Sequence, residues 1–309
     1  MNMREALPGS GIEAKTAGLR ARIEQRLAEL TPGDPAPAKL ADAMRYCLLA
    51  PGKRARAILA ILTTVHCGGT VEDGLTGACA LEMVHASSLI LDDLPVMDDA
   101  SLRRGKPTCH LVYGQATAML AAISLMNRAF AIASSDSRLP SDRRVEVVGV
   151  LAKAIGTDGL AGGQEGDLHG TALEGACAVE WIHARKTGAL FAAATEIGAV
   201  AAGALNRRRA FAEFGLKLGL AFQAYDDLLD ARATVAMIGK DTGHDGQKAT
   251  LVSLLGFEGA LAQADGQMRA ALACVPDLDT GERGLAHFVA GLTAQMRTPL
   301  GSSLKPAAV

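Results

Sequence analysis

Ser87-Ser88-Leu89-Ile90-Leu91-Asp92-Asp93-Leu94-Pro95-Val96-Met97-Asp98-Asp99 sets four carboxylates directly against an apolar run. Acidic side chains seldom sit beside core-forming residues unless something cationic neutralises them. The pattern returns far downstream in Phe222-Gln223-Ala224-Tyr225-Asp226-Asp227-Leu228-Leu229-Asp230. Two such clusters, each within an apolar segment, read as two walls of one cleft holding divalent metal. An oxygen-only donor set favours Mg²⁺ or Mn²⁺, and Mg²⁺ typically bridges a few carboxylates to substrate phosphates.

The two clusters differ in geometry. Asp226 and Asp230 are four residues apart and share one helix face. Asp92 and Asp98 are six apart, which puts them on different sides of an unbroken helix. Pro95 lies between them and is expected to end or kink the helix, so that the chain curls and the carboxylates converge. Solvated helix ends would account for one such cluster. They account poorly for two, each in apolar surroundings and each beside a basic motif.

Around these clusters the chain reads as helix. Leu19, Ile23, Leu27 and Leu30 recur at helical spacing, and further helices read over 38–49, 58–65 and 71–94. Breaks are expected near Ser134–Asp142, Gly156–Gly163, Gly170–Gly175 and Leu205–Arg208. No segment shows sustained alternation, and the 4% aromatic content disfavours a β protein. The expected organisation is a flexible arm over 1–17, one all-α domain of roughly ten or more helices over 18–297, and a tail over 298–309.

Composition narrows the function classes. With 309 residues, 49% hydrophobic and 21% charged, the chain is globular in type. A formal net charge of −2 argues against a nucleic-acid partner. Six cysteines without a C-x-x-C pair fit reduced thiols of a cytoplasmic protein. The N-terminus lacks a secretory apolar segment, no apolar run is expected to approach the ~20 residues that span a bilayer, and no transmembrane segment is expected.

Positive charge lies near both clusters. Lys53 and Arg56 follow a Pro51-Gly52 break into a helix, a setting that suits a diphosphate. Arg103-Arg104-Gly105 follows the first cluster, and Lys186-Thr187-Gly188 and Gly239-Lys240 pair further cations with glycines. Each alone would be an ordinary solvated group. His85 precedes Asp92 by two helical turns on the same face. Gln164 and Asp167 are polar groups in an apolar neighbourhood, and Gln223 offers a neutral dipole that can stabilise positive charge without acting as a nucleophile. His66, His110, His169, His183 and His244 show no metal-ligand spacing.

Taken together, Gly-Lys-Arg-x-Arg, Asp-Asp-x-x-x-x-Asp with Arg-Arg-Gly-x-Pro-Thr, Gly-Gly-Gln-x-x-Asp, Lys-Thr-Gly, Phe-Gln-x-x-Asp-Asp-x-x-Asp and Gly-Lys resemble the trans-isoprenyl diphosphate synthases, in the family's order, over residues 52 to about 255. The resemblance implies an all-helical fold around a central cavity and a homodimer. It implies Mg²⁺ at both Asp motifs, on the order of three ions per site with Mn²⁺ as a substitute. Asp92, Asp98 and Asp226 would ligate it, with Asp93, Asp227 and Asp230 in support. Arg103, Lys186 and Lys240 would neutralise an allylic diphosphate (dimethylallyl, geranyl or farnesyl). Gly52, Lys53, Arg56, His85 and Arg104 would hold isopentenyl diphosphate, while Thr187 and Gln223 would face the nascent carbocation.

Five positions depart from the family pattern: Pro51, Ala57, Leu91 and the pair Ala122-Ile123. None removes a phosphate or metal ligand. By the same resemblance, Ser87 and Ser88, five and four residues before Asp92, would flank the growing tail, with Met83 or Val84 deeper at the floor. An aromatic at the fifth position tends to stop growth at fifteen carbons. Small residues there, with the long first Asp motif, resemble the geranylgeranyl diphosphate synthases, and Leu91 and Ala100 resemble their carotenoid branch. The competing expectations are a farnesyl or longer-chain synthase, a class I terpene cyclase, and a non-catalytic prenyltransferase subunit.

Overall fold

The computed structural model describes residues 10–31, 37–237, 249–278 and 284–300. Thirteen α-helices are found among them, with a single short hairpin, so the fold is all-α as the patterning requires. Helix boundaries fall at all four expected breaks. Helix α1 (Ser10–Leu30) begins earlier than the stripe from Leu19 indicates. Contacts divide the chain into two compact units, Met1–Leu151 with Ile197–Leu205, and Ala152–Glu196 with Asn206–Val309.

The first unit is built on α4 (Val71–Asp92), which packs against α3 (Ala55–His66) and α6 (Gln115–Ser135). A capping box starts α4: the Asp73 N–H donates to Thr70 Oγ1, and the Thr70 N–H donates to Asp73 Oδ2. Such a cap contributes about 1 kcal/mol. The helix is apolar all round and buried all round, as a central helix must be. Gly74 permits its close approach to α3, since a Cβ there would stand 2.5 Å from Thr64 Oγ1. By length and hydropathy α4 and α6 each suffice to cross a membrane, which corrects the expectation that no apolar stretch is long enough. For α4 the cause is its place in the core, where 78% of its apolar stretch is buried. Helix α6 buries only 39% and leaves Met119, Leu120 and Ile123 exposed, next to Leu111 and Val112 of α5 (Cys109–Tyr113).

The second unit centres on α11 (Arg208–Met237) packed against α12 (Leu251–Cys274). Its core gathers Val179, Ala221, Tyr225, Leu228, Leu261 and Met296. Tyr225 is fully buried, and its hydroxyl donates to Asp265 Oδ1 at 2.6 Å. The other Asp265 oxygen accepts from Arg297 Nη2 at 3.0 Å, so this buried carboxylate is satisfied on both sides. The anchor fixes the rotation of α11: with Tyr225 inward, Asp226 and Asp230 are exposed together on one face.

All six cysteines are free thiols, and burial pushes that of Cys79 up to about 12.

Candidate active site

In the first unit Asp92 is the last residue of α4, and the chain then curls as Pro95 dictates. The Asp98 N–H donates back to the Asp92 carbonyl at 2.9 Å, and the Asp99 N–H donates to the Leu94 carbonyl. A hairpin follows, β1 (Leu102–Arg103) paired with β2 (Lys106–Pro107). Its two-residue turn, Arg104-Gly105, has positive φ at both positions, the turn that suits strand twist. The hairpin presents Arg103 to Asp93, whose Oδ1 accepts from Arg103 Nε at 2.9 Å and from Nη2 at 2.5 Å. Asp93 is buried, so its role here is to orient Arg103 and hold the guanidinium firmly protonated.

Among the described residues, the non-glycine positions in left-handed backbone are Arg54, Asp99 and Arg104. All three belong to charged motifs, and each conformation costs about 1–3 kcal/mol that the surrounding structure must supply.

Arg104, Arg56 and His85 form a basic cluster in the same unit. The Arg104 guanidinium lies against Gly52, where a Cβ would stand 3.1 Å from Nη1. Arg56 Nη1 is 3.4 Å from His85 Nε2. Burial pulls Arg56 down to about 10, and burial followed by neighbouring Arg54 lowers Arg104. His85 is driven well below its ordinary value by burial and then by Arg56, so the imidazole is neutral at pH 7. Partly buried cations crowded in this way gain most from a multiply charged anion. Lys53 is exposed beside them. A recess of about 410 Å³, open mouth included, adjoins Leu89, Asp93, Arg103 and Arg104.

Ser87 is fully buried, with its hydroxyl donating to the Ala122 carbonyl of α6 at 2.8 Å. Ser88 is partly buried and donates to the His85 carbonyl. Met83 and Val84 are fully buried.

The second unit carries its chemistry on regular helices with one deliberate irregularity. Helix α9 (Gly175–His183) runs through a π-helical turn, Ala184–Gly188, into α10 (Ala189–Ala201). Such turns recur at functional sites. This one carries Lys186 and Thr187. Two glycines let neighbouring helices approach it: a Cβ on Gly163 of α8 (Leu160–His169) would meet the Lys186 backbone nitrogen at 2.5 Å, and one on Gly219 would meet Gly188 Cα at 2.8 Å. Lys186 Nζ donates to Asp167 Oδ2 at 2.7 Å. Thr187 Oγ1 donates to Gln223 Oε1 at 2.7 Å, and Gln223 Nε2 donates to Asp227 Oδ1 at 3.0 Å. The second Asp227 oxygen is buried without a hydrogen bond, with His183 Nε2 3.6 Å away. Burial raises the Asp227 carboxyl above its ordinary value and lowers His183 below its own.

The first unit therefore brings together Gly52, Arg56, His85, Asp93, Arg103 and Arg104, and the second Lys186, Thr187, Gln223 and Asp227. Lys240 lies outside the described residues. Two residues outside the motifs emerge from contacts, His183 facing Asp227 and the buried Glu82, whose partner Arg54 lies within Gly-Lys-Arg-x-Arg but carries no ligand assignment there. The signal for the two is spacing, since His183 stands one turn before Lys186 and Glu82 one turn before His85.

Among the described residues, no three of His, Cys, Asp or Glu converge closely enough to hold an ion unaided. The donors that are present still suit Mg²⁺: they are carboxylate oxygens, and the buried Asp227 Oδ2 lacks a hydrogen-bond donor. An ion carried in with a diphosphate needs few protein ligands.

A family model described as polyprenyl synthetase matches residues 37–275. The chain is 44% identical over 238 residues to a geranylgeranyl diphosphate synthase from Cyanophora paradoxa, covering 74% of this chain and 78% of that protein. It is 41% identical over 258 residues to a farnesyl diphosphate synthase from Geobacillus stearothermophilus, covering 82% and 87% respectively. Among solved structures, an FPP/GFPP synthase from Zymomonas mobilis superposes with a TM-score of 0.79 at 31% identity, covering 94% of this chain and 99% of that one.

Proposed function

We propose that this chain, which belongs to the polyprenyl synthetase family and is a trans-prenyltransferase, adds isopentenyl diphosphate to allylic diphosphates until the twenty-carbon geranylgeranyl diphosphate is reached. The observation that carries this reading is the basic cluster of Arg56, His85 and Arg104 packed around Gly52. A terpene cyclase handles a single diphosphate and has no need of it. A condensing enzyme must hold a second one whose carbon–oxygen bond stays intact.

In this reading the neutral His85 and the crowded arginines grip isopentenyl diphosphate without protonating it. For the allylic diphosphate the family resemblance assigns Arg103, oriented by Asp93 in the first unit, and Lys186, oriented by Asp167 in the second, as the neutralising cations. Mg²⁺, when bound at the Asp motifs, supplies Lewis-acid stabilisation to that leaving group. Thr187 and Gln223 turn neutral oxygen dipoles toward the allylic cation and present no nucleophile that would capture it. The double bond of isopentenyl diphosphate attacks the cation, and the resulting tertiary centre loses a proton to the released pyrophosphate.

The small side chains at Ser87 and Ser88 support the longer product. The seal between Ser87 and α6 favours a second reading, in which growth stops at fifteen carbons. We read the exposed apolar residues of α5 and α6 as the face of a homodimer, and the free thiols as those of a cytoplasmic protein.

The test is product analysis with Mg²⁺, isopentenyl diphosphate and, separately, dimethylallyl, geranyl and farnesyl diphosphates. Geranylgeraniol after dephosphorylation supports the proposal. Farnesol alone moves the product to the second reading, and cyclic hydrocarbon or no elongation overturns both.

A further inference from the structure

Between Lys53 and Arg56 stands a third cation that cannot reach a ligand. The Arg54 side chain is 2% exposed, and its donors turn inward: Nη1 to Glu82 Oε2 at 3.3 Å, Nε to Glu24 Oε1 at 3.4 Å and Nη2 to the Ala50 carbonyl at 2.8 Å. The last of these closes the Ala50–Arg54 turn, which contains Gly52 and Lys53. Arg54 is also the residue before α3, held at φ 50° and ψ 32°, with no side-chain cap on the helix. One left-handed residue reverses the chain here, leaving Lys53 exposed while Arg56 enters α3 facing His85.

Glu82, 3% exposed, sits three residues before His85 on α4, on the same face. A buried carboxylate is tolerated only when paired, and an ion pair of this kind is often replaceable by apolar residues without loss of stability. Such a pair is thus weak evidence for stability, and its place between the Lys53 loop and His85 points to a task other than holding the fold. Arg54 spans from α3 to α4 and ties the loop bearing Lys53 to the helix bearing His85.

We propose that Arg54 and Glu82 are positioning residues for isopentenyl diphosphate, fixing the strained loop so that Lys53, Arg56 and His85 address one diphosphate while neither residue touches it. The proposal rests on the assignment of Gly52, Lys53, Arg56, His85 and Arg104 to that ligand. Glu82 has a second effect in the same direction. Its negative charge favours the protonated forms of both Arg56 and Arg104 against the burial that lowers them.

The experiment measures KM for isopentenyl diphosphate, KM for farnesyl diphosphate, kcat and Tm in full-length protein. The variants are Glu82→Gln, Arg54→Gly and the double variant Arg54→Met with Glu82→Leu. Glycine accepts the positive φ, so Arg54→Gly removes the tether while easing the backbone. The expected result is a rise of about tenfold or more in KM for isopentenyl diphosphate in all three, with KM for farnesyl diphosphate and kcat within about twofold of the parent. The double variant is expected to regain Tm while keeping the raised KM. Equal changes in both KM values, a change in Tm alone, or a double variant with the parent's KM would overturn the proposal. If the unmodified protein shows no saturable dependence on isopentenyl diphosphate, the underlying assignment falls first and takes the proposal with it. That failure is recognisable because it precedes any substitution.

Discussion

The two Asp motifs look alike in sequence and are built by opposite means. The first is made of loops. Asp98 and Asp99 fold back towards the end of α4, three residues adopt left-handed backbone, Arg54 and Arg103 are braced by buried carboxylates, and Arg104 is pressed on a glycine. The second is made of helix. Asp226 and Asp230 follow one regular face, and the irregularity is a single π turn feeding a neutral chain from Thr187 through Gln223 to Asp227. Loops under strain suit a region that must direct several formal charges at a fixed anion. Neutral dipoles set among the charges of a helical surface suit the proposed reaction, in which positive charge appears briefly and must not be trapped. The same residue type, aspartate in a short repeat, thus reports two different construction problems.

The largest test of this contrast is Asp92→Ala set beside Asp226→Ala. Each is expected to lower turnover by about a thousandfold or more. Near-parental turnover in either would remove the metal role from that motif. Next comes Gln223→Glu, which converts the neutral dipole into a charge beside Asp227. A kcat about a hundredfold lower with KM for isopentenyl diphosphate unchanged is expected, and a loss confined to KM would show that the chain of dipoles is only scaffolding. Gly163→Ala drives a methyl against the Lys186 backbone nitrogen and should cost about 1–3 kcal/mol in a denaturant melt. Unaltered stability would show that the π turn yields easily.

The smallest effect concerns pH. His85 has a folded-state pKa below its unfolded one, so as pH falls through about 6.5 the unfolded chain binds a proton that the folded chain refuses. Stability is therefore complete above that pH and declines below it. His85→Gln should shrink the Tm difference between about pH 7.5 and pH 5.5 by a few degrees. An unchanged difference would mean that His85 is not held neutral.

Much of this was readable before the structure. Helical periodicity and the Gly and Pro breaks gave the fold class and the segment ends, because α-helices are specified by local pattern. The curl at Pro95 and the shared face of Asp226 and Asp230 follow from backbone rules alone. What local rules cannot supply is partnership across sequence distance. Arg54 and Arg56 look equivalent in Lys53-Arg54-Ala55-Arg56, and only Glu82 on another helix turns one of them inward. The apolar length of α4 and α6 is likewise masked in sequence, because small residues such as Ala and Gly break up a run of large apolar side chains without making the helix polar. His183 has no ligand spacing in sequence, and its relevance comes from facing Asp227.

The π turn at Ala184–Gly188 has a consequence for how this gene can vary. A π turn holds one more residue than the α-helical turn it replaces, and each residue rotates a helix by about 100°. Loss of one codon within it would restore an ordinary helix and would turn Lys186 and Thr187 out of phase with the residues before them. The reading frame would remain intact, and every amino-acid type named above could still be present. Chains that have lost that codon should keep the fold's outline while losing the hydrogen bond to Gln223, so an alignment that scores composition alone would pass them as active.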